Sequence, residues 1–201
     1  MQRGLLGASV AFAGLLVACG SDATPAPTST GAANNPAASA SAGTETLPPG
    51  DIPDTVAYPT FTPATAGYVI RIPEGFARAD TSSAIVFTFH FNSIRIESVK
   101  SPSAPTLASA QSTDVPAIRQ SFANTTIGQI SSVSRNAGPA VLVKFQADSQ
   151  PDPVTGKTGR LDMERYEFWH NGTELIVTLA APAGSDNVDP WLTVTNSLRW
   201  Q

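Results

Sequence analysis

Met163-Glu-Arg-Tyr-Glu-Phe-Trp-His-Asn-Gly-Thr-Glu-Leu-Ile-Val-Thr-Leu-Ala180 is the stretch on which the fold turns. Asn171-Gly172 is a strong hairpin signal, because both residues tolerate the positive φ of a tight two-residue turn. Leu175, Val177 and Leu179 then fall on one face of the second strand, pointing to a core. Working upstream, Ile127 to Arg135 and Pro139 to Ala147 read as two more strands joined by Asn136-Ala-Gly138, with Val141, Val143 and Phe145 sharing a face. The polar stretch from Asp148 to Thr158 reads as a loop.

Further upstream, Ile85 to Phe91 places Ile85, Phe87, Phe89 and Phe91 together. A turn at Asn92-Ser93 leads into Ile94 to Lys100. Tyr68-Val-Ile-Arg-Ile72 is a first strand that stops at Pro73-Glu-Gly75. Between 101 and 124 the period changes. Thr113 or Asp114 caps a helix with Pro116 in its first turn, and Val115, Ile118 and Phe122 form its apolar stripe. A closing helix is capped at Asp189-Pro190 and buries Trp191, Val194, Thr195 and Leu198. An antiparallel sheet of about six strands with helices packed on it is an α+β architecture.

The opening strand with Pro73-Glu-Gly-Phe76, the central sheet, and the closing Ser185-Asp-Asn-Val-Asp-Pro-Trp191 helix before Leu198-Arg-Trp200 resemble the PsbP-like α/β/α sandwich. That superfamily includes plant photosystem subunits, a nuclear protein that binds the Ran GTPase, and mycobacterial LpqN-type lipoproteins, and the last group is the most similar in layout. The resemblance spans roughly residues 66–200. It implies a fold and a habit of binding protein partners without catalysis, but no shared active site. Phe76 departs from the tryptophan found in many relatives, a change of packing rather than chemistry.

The ends of the chain speak to location. Arg3, the apolar run Gly4 to Val17 and Leu16-Val17-Ala18-Cys19 match a lipoprotein export signal with its lipobox. The apolar run rises too little to span a bilayer of about 30 Å. The resemblance implies cleavage of 1–18 and a diacylglyceryl thioether, with palmitate-type acyl chains, on Cys19, the single cysteine. Two acyl chains give stable anchoring outside the cytoplasmic membrane. Residues 19–57 are rich in Ala, Ser, Thr and Pro and read as a disordered tether with a reach of about 30 to 35 Å. The globular domain is then 58–201, carrying 11 basic and 12 acidic residues. The whole chain of 201 residues has a net charge of −4, and nothing in it suits a phosphate backbone, so nucleic acid is not an expected partner.

Familiar chemistries do not assemble in this sequence. Gly156-Lys157-Thr158 ends like a phosphate loop, but Pro151 stands where the pattern needs glycine. A hydrolase would use His90 or His170, and no nucleophile elbow is present; His170, near Trp169 and Asp162, is the better candidate. Zinc has no Cys/His cluster, and Asp186, Asn187 and Asp189 lack the glutamate that closes a calcium loop. Asn124-Thr-Thr126 and Asn171-Gly-Thr173 match a glycosylation acceptor, the second already serving as a turn. No catalytic, cofactor or metal residues are assigned. Trp169, out of phase with Tyr166 and Phe168, either packs under a helix or, with His170, forms a patch for a partner.

The expected function is therefore a lipid-anchored, non-catalytic binding or accessory module of the cell envelope, with an unidentified envelope protein or lipid as partner. The alternative is a carrier of an apolar small molecule in a cavity lined by Phe87, Val143 and Val177.

Overall fold

The computed structural model describes residues 48–201 except 65, 66 and 153. Cys19, the leader and residues 19–47 lie outside the described residues. Among the described residues ten strands and three α-helices follow in order: β1 (Thr60–Phe61), β2 (Tyr68–Arg71), β3 (Ala77–Asp80), β4 (Ile85–Phe89), β5 (Asn92–Lys100), α1 (Leu107–Ser109), α2 (Val115–Ser121), β6 (Thr126–Arg135), β7 (Gly138–Asp148), β8 (Arg160–His170), β9 (Thr173–Pro182), α3 (Val188–Ser197) and β10 (Arg199–Trp200).

Seven strands form one antiparallel sheet in the order β3-β4-β5-β9-β8-β7-β6, and β1-β2-β10 form a small second sheet. Asn171-Gly172 is indeed the turn of the central hairpin, with Asn171 at φ 47° and Gly172 at φ 77°, and His170 pairs with Thr173 across it. The sheet has one more strand than the sequence count of about six, because Ala77–Asp80 adds an edge strand too polar and too exposed to show periodicity.

The strand period of two separates two cores. One face gathers Phe87, Ile94, Ile96, Leu142, Phe168, Leu175, Val177 and Leu179 under β2 and α3, which contribute Tyr68, Ile70, Trp191 and Val194. The other gathers Val141, Val143, Phe145 and Met163 under Ala110 and Ile118 of the first helical segment. Helix, sheet and helix form three layers.

That first helical segment begins earlier than the sequence pattern indicates. Thr106 and Ser109 form a capping box, with Ser109 N–H donating to Thr106 Oγ1 at 3.0 Å and Thr106 N–H donating to Ser109 Oγ at 2.8 Å. Thr113 and Asp114 are interior, within a π-helical turn, Ala110–Asp114, that closes with Val115 N–H donating to the Ala110 carbonyl. Pro116 supplies the reason: it has no N–H, and its ring would press on the carbonyl four residues back, so the backbone widens by one residue just before it.

Three other boundaries differ from expectation. The β4–β5 turn is His90-Phe91 rather than Asn92-Ser93, since Phe89 pairs with Asn92 and Asn92 is buried. Asn187 occupies the N-cap position of α3, its side chain turned to other partners, and Asp189 lies inside the first turn. Residues 48–57, read as tether, lie on the body. Ile52 is buried, its N–H donates to Asn187 Oδ1 at 2.8 Å, and Asp186 N–H donates to Asp51 Oδ1 at 2.9 Å. Gly50 sits at φ 99° where a Cβ would overlap the Pro182 ring, so this short polar stretch is fitted in detail.

Candidate functional site

At one end of the large sheet, the β4–β5 turn, the β7–β8 loop, Pro49 and Pro182 enclose an open groove of about 990 Å3. Phe91 sets its character. His90 takes the first turn position at φ 51°, and its ring packs edge-on against Phe89 at 4.3 Å. The next side chain, Phe91, is turned out and left 68% exposed. Covering a phenyl group of this kind returns about 1.5–3 kcal/mol. The two-residue turn holds it without a long loop to order.

The facing wall is a loop built by its own polar side chains. Asp152 Oδ1 accepts from Val154 N–H at 3.1 Å, Thr155 N–H at 2.7 Å and Thr155 Oγ1 at 2.9 Å. The Thr155 backbone and hydroxyl bonds hold its carboxyl below the usual range. At the loop's far end, the Asn124 amide first and Arg160 second hold Asp148 low as well. Arg160 is fully committed, reaching the Asn124 carbonyl at 2.6 Å, Asp148 Oδ1 at 3.3 Å and Thr126 Oγ1 at 3.0 Å. Lys157 is the exposed cation of the groove. Its backbone carbonyl closes the Asp152 turn at 2.8 Å, so Gly156-Lys157-Thr158 is a loop turn here and not a phosphate cradle.

The residues singled out in the sequence are dispersed. Cys19 lies outside the described residues. Trp169 and His170 are neighbours on β8 and so point to opposite faces. The Trp169 indole N–H donates to the Ser101 carbonyl at 3.0 Å, half-buried beside the first helical segment's approach. His170 stacks on Trp200 at 5.2 Å and meets Asn171 Nδ2 at 2.9 Å on the other side. One patch containing both does not form.

Asp162 stands eight residues from His170 along an extended strand, with Gln146 and Gly184 as its partners, and among the described residues no acid hydrogen-bonds that imidazole. The cavity expected from Phe87, Val143 and Val177 is likewise absent among the described residues: all three are buried, and Val143 lies on the opposite sheet face from the other two. The Asn187 side chain is spent on the 50–52 segment, which Asp186 meets through its backbone N–H. The described residues contain no group of three or more metal-ligating side chains.

Sequence reasoning placed Phe91 on the core face and so missed the groove. A Phe-His-Phe-Asn-Ser run allows two turn placements, and Asn92's buried bond to Asn187 selects between them.

No family model matches the sequence, and no curated protein does. Solved structures do. Cyanobacterial PsbP (CyanoP) from Synechocystis sp. PCC 6803 matches with a TM-score of 0.50 and 13% identity over 72% of this chain and 93% of that one. The Ran-binding protein Mog1p of Saccharomyces cerevisiae matches with a TM-score of 0.50 and 9% identity over 73% and 96%. LpqN of Mycobacterium tuberculosis, described as involved in cell envelope biogenesis, is a looser match: TM-score 0.41 and 12% identity over 73% and 91%. The chain spans 48% of the length of a Bacteroides thetaiotaomicron protein that it also matches. At these identities the likeness concerns the backbone alone. The body of this chain has the fold of these structures, a PsbP-like α/β/α sandwich.

Proposed function

We propose that this chain is a lipid-anchored, non-catalytic binding module displayed outside the cytoplasmic membrane. Residues 1–18 are removed as a signal peptide, Cys19 carries the diacylglyceryl group, and the stretch from Gly20 to Leu47 tethers the domain. The tether keeps the domain at high local concentration near other envelope components, so a modest groove affinity suffices.

The observation that supports binding over carriage or catalysis is a contrast. Both interior faces of the sheet are filled, with Val143, Leu175, Val177 and Leu179 fully buried, while Phe91 stands exposed in an open groove. The occupant that suits the groove is an extended apolar segment of an envelope protein. Phe91 and Leu161 offer aromatic and aliphatic contact, and Pro49, Pro151 and Pro182 make firm walls.

The test is site-specific photo-crosslinking in intact cells, with the probe at Phe91 and a control probe at Val99, at the opposite sheet end. A protein adduct specific to Phe91 and competed by the unlabelled domain supports the reading. Adducts to lipid alone favour the carrier, and equal labelling at both positions rejects the groove. For the anchor, Cys19→Ala is expected to abolish labelled palmitate incorporation and to release the protein from the membrane fraction; unchanged labelling would reject it.

A further inference from the structure

Beneath the π-helical turn the sheet carries a set of charges that the groove does not use. Glu167 on β8 is fully buried, between Val141 on β7 and Ile176 on β9. Its Oε1 accepts from Arg165 Nε at 2.7 Å, and its Oε2 is buried with no hydrogen-bond partner among the described residues. Other carboxylates crowd the same place: Asp114, at the end of the π-helical turn, lies 3.6 Å from Arg165 Nη2, and Glu174 faces from β9. On β5, Glu97 lies in the same cross-strand row as Glu167 and Ile176 but holds its own Arg95 at 2.9 Å. Among the described residues Arg165 is thus the cation paired with both Glu167 and Asp114, while the Glu174 charge acts on Glu167 from β9.

A buried carboxylate with an orphan oxygen is costly as an anion and tolerable as an acid, because the protonated form removes the charge. The π-helical turn makes the arrangement consequential. Widening the backbone before Pro116 aims Asp114 down at Arg165, so the helical segment is held to the sheet partly through the same guanidinium that Glu167 occupies.

We propose that the helical segment over residues 107–121 is a pH-sensitive latch, docked while Glu167 is protonated and loosened when Glu167 ionises. In the docked state Arg165 faces Asp114 with a neutral neighbour. Once Glu167 is charged, it and Asp114 share one cation beside the Glu174 charge, and the segment gains by lifting and letting water reach them. Lifting uncovers Val141, Val143, Phe145 and Met163, an apolar floor buried in the docked state.

Burial first, and then the charges of Asp114 and Glu174, raise the Glu167 carboxyl from its ordinary 4.5 to about 7, against the opposing pull of Arg165. When the segment is lifted, Glu167 is solvated and returns towards the ordinary value. A carboxyl whose docked value is raised favours docking fully below the ordinary value and loses that advantage as pH climbs through the docked value. The window is pH 4.5 to 7, and opening increases about twentyfold from pH 5.5 to 7.5.

The test is amide hydrogen exchange on the full chain at those two pH values, corrected for the intrinsic pH dependence of exchange. Amides of residues 110–118 are expected to lose protection by about that factor, while those of β9 change far less. Glu167→Gln is expected to remove the pH dependence and keep the acid-state protection. Equal corrected protection at both pH values, or a dependence that survives Glu167→Gln, overturns the proposal. If that variant does not fold, Asp114→Asn decides: taking one charge from beside Glu167 is expected to flatten the dependence and move it to lower pH, and an unchanged profile overturns the latch.

Discussion

Asn187 Nδ2 donates to Asn92 Oδ1 at 3.1 Å, a bond between residues 95 apart in the chain and buried between α3 and the start of β5. The same side chain donates to the Gly50 carbonyl at 2.8 Å and accepts from Ile52 N–H at 2.8 Å. One amide thus ties the 48–57 segment, the large sheet and the closing helix together. Asn187→Ala is expected to destabilise the domain by about 2–4 kcal/mol, because buried partners are left unsatisfied. Urea denaturation measures the loss. Limited proteolysis should show the 48–57 segment released before the body unfolds, and a stability change under about 0.5 kcal/mol would contradict the clasp.

The two faces of the sheet are separate cores. Leu179→Ala on the α3 side is expected to cost about 2–5 kcal/mol and Phe145→Ala on the α2 side about 3–5 kcal/mol. The sheet stands between them, so the double variant should sum the two costs to within about 0.5 kcal/mol in equilibrium unfolding. Strong non-additivity would mean one shared core.

Alkaline pH should act through tyrosine. Burial holds Tyr68 up at about 12. Burial and then its bond to Glu164 Oε2 at 2.6 Å raise Tyr166 to about 12 as well. Tyr58 is raised by burial and by Asp54. A phenol whose folded value exceeds its ordinary 10 contributes stability that is complete below pH 10 and disappears as pH climbs to about 12. An ultraviolet titration should therefore show the phenolates of Tyr68 and Tyr166 absent near pH 10 in the native protein, with their ionisation and unfolding coinciding above it. An ordinary midpoint at 10 would show the rings to be solvated.

The groove turn separates binding from stability. His90→Gly is expected to be neutral or mildly stabilising, since glycine takes φ 51° freely, whereas His90→Val should cost about 1–2 kcal/mol. Phe91→Ser should leave thermal stability within about 0.5 kcal/mol while removing the crosslink formed from a probe at Lys157 on the facing wall of the groove, because the ring touches little of the body. A large loss of stability from Phe91→Ser would place the ring in the core after all.

Much of the fold was legible because periodicity and turn chemistry are local. Asn171-Gly172 marked the central hairpin, and Leu175, Val177 and Leu179 are buried as their spacing demanded. Edge strand β3 escaped notice because Ala77-Arg-Ala-Asp80, exposed throughout, has no inward face to leave a pattern. The groove was hidden by a turn placement two residues off, settled by a partner 95 residues away. The Trp169–His170 patch failed for a local reason: adjacent strand residues point to opposite faces.

Composition and spacing by themselves determined the low-complexity stretch, the α+β class and most of the residues that face inward, since each depends on near neighbours or bulk hydrophobicity. Only the tertiary structure decided which of two cores each inward residue serves, that Phe91 is outward, and that Asp114 and Glu167 meet at Arg165. Those outcomes depend on strand order, register and one proline-widened helical turn. Contacts between residues tens of positions apart set all three, and no window along the chain contains them.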